Sequence, residues 1–261
     1  MNNTMTHLAG HRMVLATDLD GTFLGGSDDD RDHLYDWVQK RRDTVGLVFV
    51  TGRDPEFIAS LCASGRVPWP DYVVGDVGTT IAHVDRVRGI TPLPALESDI
   101  AAVWGDRGAT VRQRLAGHPG LTVQDTSFRY RVSYDMDPDL FDPSAVDVVK
   151  HLGADALISD NRFFDVLPRG ISKGPSLLRL IDHLGVERSR VLAAGDTLND
   201  LSMLVAGTPA VAVGGAEDAL LRALPDDGRI HRATAIGAAG IMEAIRVFDL
   251  HPIAEPSRTE T

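Results

Sequence analysis

The sequence predicts an α/β protein with a doubly wound, mostly parallel, Rossmann-like core and an inserted α+β domain. Short β-rich apolar runs alternate with amphipathic helical segments over most of the 261 residues, as in a parallel sheet covered by helices. Between about residues 83 and 165 the alternation is lost, which indicates a second unit with an antiparallel sheet. The predicted domains are a core, residues 1–82 and 168–261, and an insertion, residues 83–167.

The predicted elements follow from these patterns in chain order. Core strands are expected at Met13–Thr17, Gly46–Thr51, Tyr72–Gly75, Val191–Gly195 and Ala210–Val213. Core helices are expected at Asp29–Arg42, Pro55–Ser64, Lys173–His183, Asp200–Ala206, Ala216–Ala223 and Gly237–Phe248. In the insertion, helices are expected at Glu97–Leu115 and Pro143–Leu152, and strands at Leu121–Gln124, Arg129–Tyr134, Ala156–Ser159 and Phe163–Leu167.

Composition narrows the classes of partner. The net charge is −11 and there is no basic run, so nucleic acid is not expected as a ligand. No apolar run approaches the ~18–20 residues of a membrane span, so no membrane association is expected. The single cysteine, Cys62, excludes an internal disulfide and favours a cytoplasmic location. No feature of the sequence indicates an oligomeric state.

The first predicted strand runs directly into two carboxylates, Asp18 and Asp20, before Gly21 and Thr22 break it. A desolvated carboxylate costs several kcal/mol unless something neutralises it. Because open α/β sheets bind ligands outside the carboxyl ends of their strands, the pair indicates a cation and a reaction. An Asp there can act as a covalent nucleophile, although the stretch is also compatible with a solvated exit from the strand.

Two further segments carry groups suited to phosphate. The second predicted strand ends at Thr51 and is followed by Gly52, just before a helix that begins near Pro55. The hydroxyl and the free N–H groups can hold phosphate oxygens or simply cap the helix. Lys173 begins a later helix, where the helix dipole disfavours a cation. A phosphate group or a cluster of carboxylates would account for its placement.

A fourth segment repeats the pattern of a buried strand that ends in an acid. Val191–Gly195 leads into Asp196, and the turn that follows contains Asn199 and a second acid, Asp200. Asp196 alone could cap a helix, but the complete pattern makes that interpretation weaker. Acids from several strand ends would repel one another in a small cleft, and Mg²⁺, which prefers oxygen ligands, resolves the repulsion. With Lys173, these groups are suited to phosphoryl transfer.

Taken in order, the four segments resemble the four motifs of the haloacid dehalogenase superfamily of aspartate-nucleophile phosphatases. The insertion between the second and third motifs resembles the C2B cap of that superfamily. Within it, the chain is most similar to sucrose-phosphate phosphatases and their relatives that act on other glycosyl phosphates. The stretches that carry this closer likeness are Pro70–Thr79, Val132–Pro138, Asp165–Gly174 and Gly240–Asp249.

The resemblance implies a role for each core motif residue. Asp18 would be the nucleophile that carries the aspartyl-phosphate, and Asp20 the general acid and base. Mg²⁺ would be held by Asp18, the backbone carbonyl of Asp20, and Asp196, while Asp200 orients a metal-bound water or Lys173. The groups expected to bind the phosphoryl oxygens are Thr51, Gly52, Lys173 and Asn199.

The cap is expected to supply the sugar contacts. Along Phe128–Asp135 the residues alternate, so that one face carries Arg129, Arg131 and Ser133, and the other carries Phe128 and further apolar residues. The apolar face is expected to pack on the cap helices and the polar face to line the cleft, although a basic face can also be solvated. By resemblance, Arg162 and Asp165 are further candidates for contacting the sugar.

One departure from the family pattern leaves the sugar open. Many sucrose-phosphate phosphatases have Asn-Thr-Trp after the second motif Asp, whereas this chain has Gly21-Thr22-Phe23. The resemblance implies a Mg²⁺-dependent phosphatase that acts on a phosphorylated sugar, a disaccharide or glycoside phosphate such as sucrose 6-phosphate. The alternatives are a phosphosugar mutase of the same fold and a non-catalytic sugar-phosphate-binding protein, which the intact motif residues disfavour.

Overall fold

The computed structural model of the protein describes residues 8–126 and 128–253, and this part of the chain forms two sheets flanked by helices. The twelve strands of these residues are β1 (Met13–Thr17), β2 (Val45–Val50), β3 (Tyr72–Gly75), β4 (Thr80–Asp85), β5 (Gly89–Pro92), β6 (Leu121–Val123), β7 (Val132–Met136), β8 (Ala154–Ser159), β9 (Phe163–Pro168), β10 (Val191–Gly195), β11 (Ala210–Gly214) and β12 (Ile230–Ile236). Their nine α-helices are α1 (Asp28–Gln39), α2 (Pro55–Ala63), α3 (Pro94–Trp104), α4 (Arg107–Arg114), α5 (Ser144–His151), α6 (Lys173–Leu184), α7 (Leu201–Leu204), α8 (Asp218–Ala223) and α9 (Ala238–Val247).

The larger sheet forms the core and has eight strands in the order β12-β11-β10-β1-β2-β3-β4-β5. The strands from β12 to β3 are parallel, and β4 and β5 are antiparallel. The chain winds outward from β1 in both directions, so the order reverses beside β1, where open α/β sheets bind their ligands. This topology confirms the predicted fold class.

The central strands are stabilised because the side chains on both of their faces pack against apolar residues of the helices. All five residues of β1 are buried. Leu15 packs in one cluster with residues of α1 and α9, whereas Val14 packs in a second cluster with residues of α6. Continuous burial on both faces is the property that gives parallel strands their unbroken apolar sequences. The core sheet is therefore a rigid platform between two helical layers.

The smaller sheet belongs to the insertion and has the antiparallel order β6-β7-β9-β8. Tyr134 of β7 and Phe164 of β9 lie on one face, in a cluster with Trp104 of α3 and other residues of the cap helices. Because side chains alternate along a strand, Ser133 and Asp165 lie on the opposite face. That face is directed toward the core, since Arg131 joins Asp165 to Gly52.

Several elements differ from those predicted. The helix expected over residues 97–115 is two helices, because Gly105 adopts a positive φ of 59° between α3 and α4. The hairpin β4–β5 and strand β12 were not predicted. The predicted domain boundary after residue 82 falls inside β4, and the hairpin extends the core sheet. We propose that the cap begins at α3 instead.

Among the described residues, no helix has both the length and the apolar character needed to cross a membrane.

Candidate active site

Three neighbouring strands bring the predicted motif residues to one edge of the core sheet. Asp18 follows β1, Thr51 follows β2 and Asp196 follows β10, and β1 lies between the other two strands. In this register Thr17 is opposite both Phe49 and Ala194, so the three strands end at nearly the same level. Their side chains therefore meet at the carboxyl edge beside the point where the strand order reverses.

Lys173, the first residue of α6, lies at the centre of this edge. Its Nζ donates to Asp18 Oδ1 at 2.7 Å, to Asn199 Oδ1 at 2.7 Å and to Asp200 Oδ1 at 2.6 Å. Burial alone would lower the pKa of Lys173, but the carboxylates of Asp18 and Asp200 outweigh it and raise that pKa above its usual value. These ion pairs explain why a cation occupies a helix N-terminus that the helix dipole disfavours.

Three acids are crowded around Lys173. Asp18, Asp196 and Asp200 each offer an oxygen, and the three atoms lie within 4.8 Å of one another. Burial, followed by repulsion from Asp200 and Asp196, raises the pKa of Asp18. Burial and the charge of Asp200 raise the pKa of Asp196 to about 7. Three buried carboxylates that repel one another are stabilised by a cation, and Mg²⁺ prefers oxygen ligands. The residues present therefore fit the predicted metal.

Asp200 differs from the other two acids because both of its oxygens have protein partners. Oδ1 accepts from Lys173, and Oδ2 accepts the backbone N–H groups of Asp196 and Thr197, each at 3.0 Å. Asp200 thus holds the lysine and the turn that presents Asp196. Asp196 Oδ1 in turn accepts from Thr22 Oγ1 at 2.6 Å. This arrangement leaves Asp18 and Asp196 as the acids best placed to bind a cation directly.

The bend after Asp20 requires glycine. Gly21 has a φ of +78°, and a Cβ at this position would lie 2.1 Å from Asp196 Oδ2. The positive φ and this close approach exclude a larger side chain without displacement of Asp196. Gly21 thus lets the segment that carries Asp18 and Asp20 lie directly against Asp196.

Asp20 has a partner that the sequence analysis missed. The Arg53 guanidinium binds it with two hydrogen bonds, Nε to Oδ2 at 2.8 Å and Nη2 to Oδ1 at 3.1 Å. Both side chains are about half exposed, and Arg53 also lies over the Phe57 ring. The available signal was the position of Arg53 directly after Gly52, the only cation beside the predicted phosphate-binding pair.

The predicted phosphate-binding residues line the same edge. Thr51 is buried, and its Oγ1 accepts from the N–H of Arg53 at 3.2 Å. The N–H of Gly52 has no hydrogen-bond partner among the described residues, and Gly52 lines the cavity described next. Asn199 Oδ1 is held by Lys173 and by the Thr197 hydroxyl. Polar groups from three different segments thus meet at one edge of the sheet.

A cavity of about 520 Å³ opens in front of these residues, between the core and the cap. Ligand sites commonly measure about 300–1,000 Å³, so this cavity is large enough for a glycosyl phosphate. Asp160 and Asn161 form the turn between β8 and β9 with positive φ angles of 52° and 45°. Such a turn is typical of a tight hairpin. The turn brings Asp160 and Arg162 to the cavity wall.

The structure divides the five predicted cap residues into two groups. Arg131, Arg162 and Asp165 line the cavity. Arg129 does not line it: it forms a two-pronged ion pair with Glu97, with N–O distances of 2.8 and 2.9 Å. Ser133 is also absent from the cavity wall, and its hydroxyl donates to Asp165.

The position of Phe128 shows that the predicted alternation of polar and apolar faces is wrong upstream of β7. It was expected to pack on the cap helices, but it lines the cavity. The reason is that β7 begins at Val132, so the preceding residues do not follow the two-residue period of a strand. Phe128 places its ring 3.6 Å from the Arg131 guanidinium. The expected division holds only from Val132 onward.

Residues 11–249 match the sequence profile of the sucrose-6F-phosphate phosphohydrolase family. The chain belongs to this family. A similar solved structure is the sucrose-phosphatase of Synechocystis sp. PCC6803 in complex with sucrose and phosphate, with a TM-score of 0.82 and 26% identity. That match covers 92% of this chain and 98% of the sucrose-phosphatase.

Two curated relatives extend the comparison. The chain is 41% identical over 239 residues to a glucosylglycerol-phosphate synthase of Pseudomonas anguilliseptica, covering 90% of this chain and 31% of that protein. It is 30% identical over 248 residues to the mannosylfructose-phosphate phosphatase of Agrobacterium fabrum, covering 92% of this chain and 98% of the phosphatase. The chain thus spans less than a third of the synthase but nearly all of the phosphatase.

Family membership and fold together confirm the predicted class of enzyme. The chain is a haloacid dehalogenase-type hydrolase of phosphomonoesters, a sugar-phosphate phosphatase similar to sucrose-phosphatase.

Proposed function

We propose that the chain is a Mg²⁺-dependent phosphatase that hydrolyses a phosphorylated glycoside through an aspartyl-phosphate on Asp18. The observation that carries this proposal is the buried Asp18 at the sheet edge, paired with Lys173, clustered with Asp196 and Asp200, and facing the cavity beneath the cap. A cytoplasmic location is part of the proposal, supported by the single, buried Cys62.

Asp18 would attack the phosphorus atom in line with the bond to the leaving sugar oxygen. Lys173 holds Asp18 Oδ1, so the other oxygen, Oδ2, is the one available to form the new bond. A carboxylate that attacks a phosphate must overcome the repulsion between two anions. When bound to Asp18, the Asp20 carbonyl and Asp196, Mg²⁺ would offset this charge.

Asp20 would supply the protons. In the first step its carboxylic acid protonates the leaving sugar oxygen, and Asp18 becomes the mixed anhydride. In the second step the Asp20 carboxylate takes a proton from a water molecule that attacks the phosphorus, which releases phosphate and restores Asp18. The ion pair with Arg53 holds Asp20 at the mouth of this site.

The phosphoryl oxygens would be bound by the Thr51 hydroxyl, the Gly52 N–H, Lys173 and Asn199. The Gly52 N–H, which has no hydrogen-bond partner among the described residues, supports this role most directly, and the positive charge of Lys173 would attract the phosphate. Donors fixed in advance stabilise the charge that develops in the transition state without having to reorganise.

The relatives order the candidate substrates. We place a glycosylglycerol phosphate first, ahead of mannosylfructose phosphate and sucrose 6-phosphate, and the 41% identity to a glucosylglycerol-phosphate synthase supports this order. A polyhydroxy ligand is supported by Arg162 and Asp165, which line the cavity together with Asp18 and Asp20. Polar groups that require hydroxyl partners discriminate strongly between sugars.

The test is phosphate release from a panel of glycosyl phosphates, with Mg²⁺ and with EDTA. The panel contains glucosylglycerol phosphate, mannosylfructose phosphate, sucrose 6-phosphate, glucosylglycerate phosphate, trehalose 6-phosphate and hexose monophosphates, with p-nitrophenyl phosphate as a probe of the chemistry alone. We expect one strong, Mg²⁺-dependent glycoside substrate. Isomerisation of a hexose phosphate without phosphate release would instead identify a mutase, and binding without any turnover a sugar-phosphate-binding protein.

A further inference from the structure

One arginine of the cap reaches across the cavity wall to the core. Arg131 Nη1 donates to Asp165 Oδ1 within the cap at 3.1 Å, and Nη2 donates to the backbone oxygen of Gly52 in the core at 2.9 Å. Nη2 also lies 3.5 Å from Asp76 Oδ1, a second core residue. The side chain is only 5% exposed, and Phe128 stacks on its guanidinium. Arg131 is thus a buried link between the two domains.

The core partner of Arg131 is the loop that offers the phosphate-binding N–H. Three successive carbonyls of this loop have donors: Val77 N–H to Thr51 O at 3.1 Å, Arg131 to Gly52 O, and Asp76 N–H to Arg53 O at 3.0 Å. The Gly52 N–H lies in one peptide plane with the Thr51 carbonyl, and the Gly52 carbonyl lies in the next plane. Fixing both carbonyls therefore fixes the backbone angles of Gly52 between the two planes and, with them, the direction of its N–H. The middle contact, at Gly52, is the one supplied by the cap.

Asp76 lies in a turn with an unfavourable backbone conformation. Asp76 and Val77 have φ angles of 52° and 58°, a region that a β-branched residue such as Val rarely adopts. Strain of this kind persists only where surrounding contacts impose it, and it is concentrated at functional sites. Here the contacts are the two N–H bonds to the phosphate loop and the bond from the Thr80 hydroxyl to Asp76 Oδ2 at 2.5 Å.

We propose that Arg131, held in place by Asp76, is a positioning residue that fixes the Gly52 peptide for phosphate binding when the cap lies on the core. This inference rests on the proposed function, and it gives Arg131 a different role from the sugar contact expected from the sequence. The cap then contributes to the phosphate site as well as to the sugar site. Closure of the cap would complete the set of phosphate donors.

A second cap arginine provides a matched control. Arg129 also joins the cap to the core, because its Nη2 donates to Thr80 Oγ1 at 3.0 Å while it pairs with the buried Glu97. Unlike Arg131, it donates to none of the carbonyls of residues 51–53 among the described contacts. Loss of Arg129 therefore removes a domain-bridging cation whose contact with the phosphate loop is indirect, since its partner Thr80 Oγ1 also donates to Asp76 Oδ2.

The experiment compares Arg131→Gln and Asp76→Asn with Arg129→Gln. For each variant, the inhibition constant of inorganic phosphate, KM and kcat for p-nitrophenyl phosphate, and the thermal unfolding midpoint are measured in the presence of Mg²⁺. For Arg131→Gln we expect phosphate inhibition to weaken and kcat/KM to fall, each by roughly ten- to hundredfold, the value of a charge-assisted hydrogen bond. Asp76→Asn should cause a smaller loss of the same kind, and Arg129→Gln, which acts on Asp76 only through Thr80, should cause the smallest change in phosphate inhibition.

Unaltered phosphate inhibition in Arg131→Gln would overturn the proposal, as would an equal weakening in Arg129→Gln. If Arg131→Gln does not fold, Arg131→Lys and Asp76→Asn carry the test, because they keep a cation or a polar group of similar size. None of these measurements uses a glycoside. A failure to find a glycosyl phosphate substrate would therefore count against the proposed function alone.

Discussion

The two walls of the cavity differ in how firmly their charged groups are held. Behind the core wall, Lys173 forms ion pairs with Asp18, which lines the cavity, and with Asp200, and all three residues are almost completely buried. On the cap wall, Asp160 and Arg162 are exposed at a hairpin turn, whereas Arg131 and Asp165 form a buried ion pair. A fixed electrostatic environment suits a reaction step that every substrate shares, whereas an adaptable wall suits recognition of one sugar. We propose that the core supplies the chemistry and that the exposed turn of the cap contributes to selection of the sugar.

The largest effect that this comparison predicts is at Asp18. Asp18→Asn should lower phosphate release by at least about 10⁴-fold on every substrate, because it removes the nucleophile. Asp160→Asn is the matched control: it makes the same change on the cap wall, at a positive φ that Asn tolerates, and should retain most of the activity on p-nitrophenyl phosphate. Normal phosphate release by Asp18→Asn would contradict the assignment of the nucleophile.

Replacing Lys173 tests whether the core wall depends on its internal ion pairs. Lys173→Met should lower the free energy of unfolding by about 3–5 kcal/mol, because it leaves buried carboxylates without their counter-charge. Activity should fall for all substrates alike. Chemical denaturation and phosphate release measure the two effects. A fully stable Lys173→Met variant would show that the acids do not need this cation.

The raised pKa of Asp196 predicts how Mg²⁺ binding depends on pH. Without metal, the folded protein holds a proton on Asp196 up to about pH 7, whereas the ordinary pKa of this side chain is near 3.8. The metal-free fold should therefore lose stability as the pH rises through that window. Mg²⁺ must displace the proton, so its apparent affinity should fall by up to about tenfold per pH unit below about pH 7.

Titration calorimetry between about pH 5.5 and 8 measures this dependence, and buffers with different ionisation enthalpies report the released proton. A constant Mg²⁺ affinity across the range would show that Asp196 does not bind the metal or does not carry the proton.

The smallest predicted effect sharpens the role of the cap. Arg162→Ala should lower kcat/KM for the glycosyl phosphate by about tenfold, the value of one good polar contact, with a much smaller change for p-nitrophenyl phosphate. Steady-state kinetics on the two substrates give the ratio. Equal losses on both would place Arg162 outside the sugar site and weaken the division of labour between the walls.

The core site was predictable because each of its residues carries a local signal. Asp18, Thr51 and Asp196 each directly follow an apolar strand, and Lys173 stands where a cation needs an explanation. The contacts of Thr22 with Asp196 and of Arg53 with Asp20 were not predictable, because they join residues far apart in sequence. Sequence patterns indicate where a strand ends but not which distant side chains meet there.

The cap was predictable as a unit but not at the level of its side chains. Four antiparallel strands were expected and are present, yet the alternation was extended upstream of Val132, where there is no strand. Arg129 and Arg131 therefore have different partners from those expected, Glu97 in one case and Gly52 in the other. The short hairpin β4–β5 was missed because β5 has only four residues and little burial to mark it.

The covalent mechanism is tested most directly by locating the phosphoryl group during turnover. The enzyme is mixed with Mg²⁺ and p-nitrophenyl phosphate, quenched rapidly in acid and digested, and the phosphorylated peptide is identified by mass spectrometry. We expect a phosphate on Asp18, and borohydride reduction should convert this aspartyl-phosphate to homoserine. A phosphate on any other residue, or turnover with no covalent phosphate at early times, would contradict it.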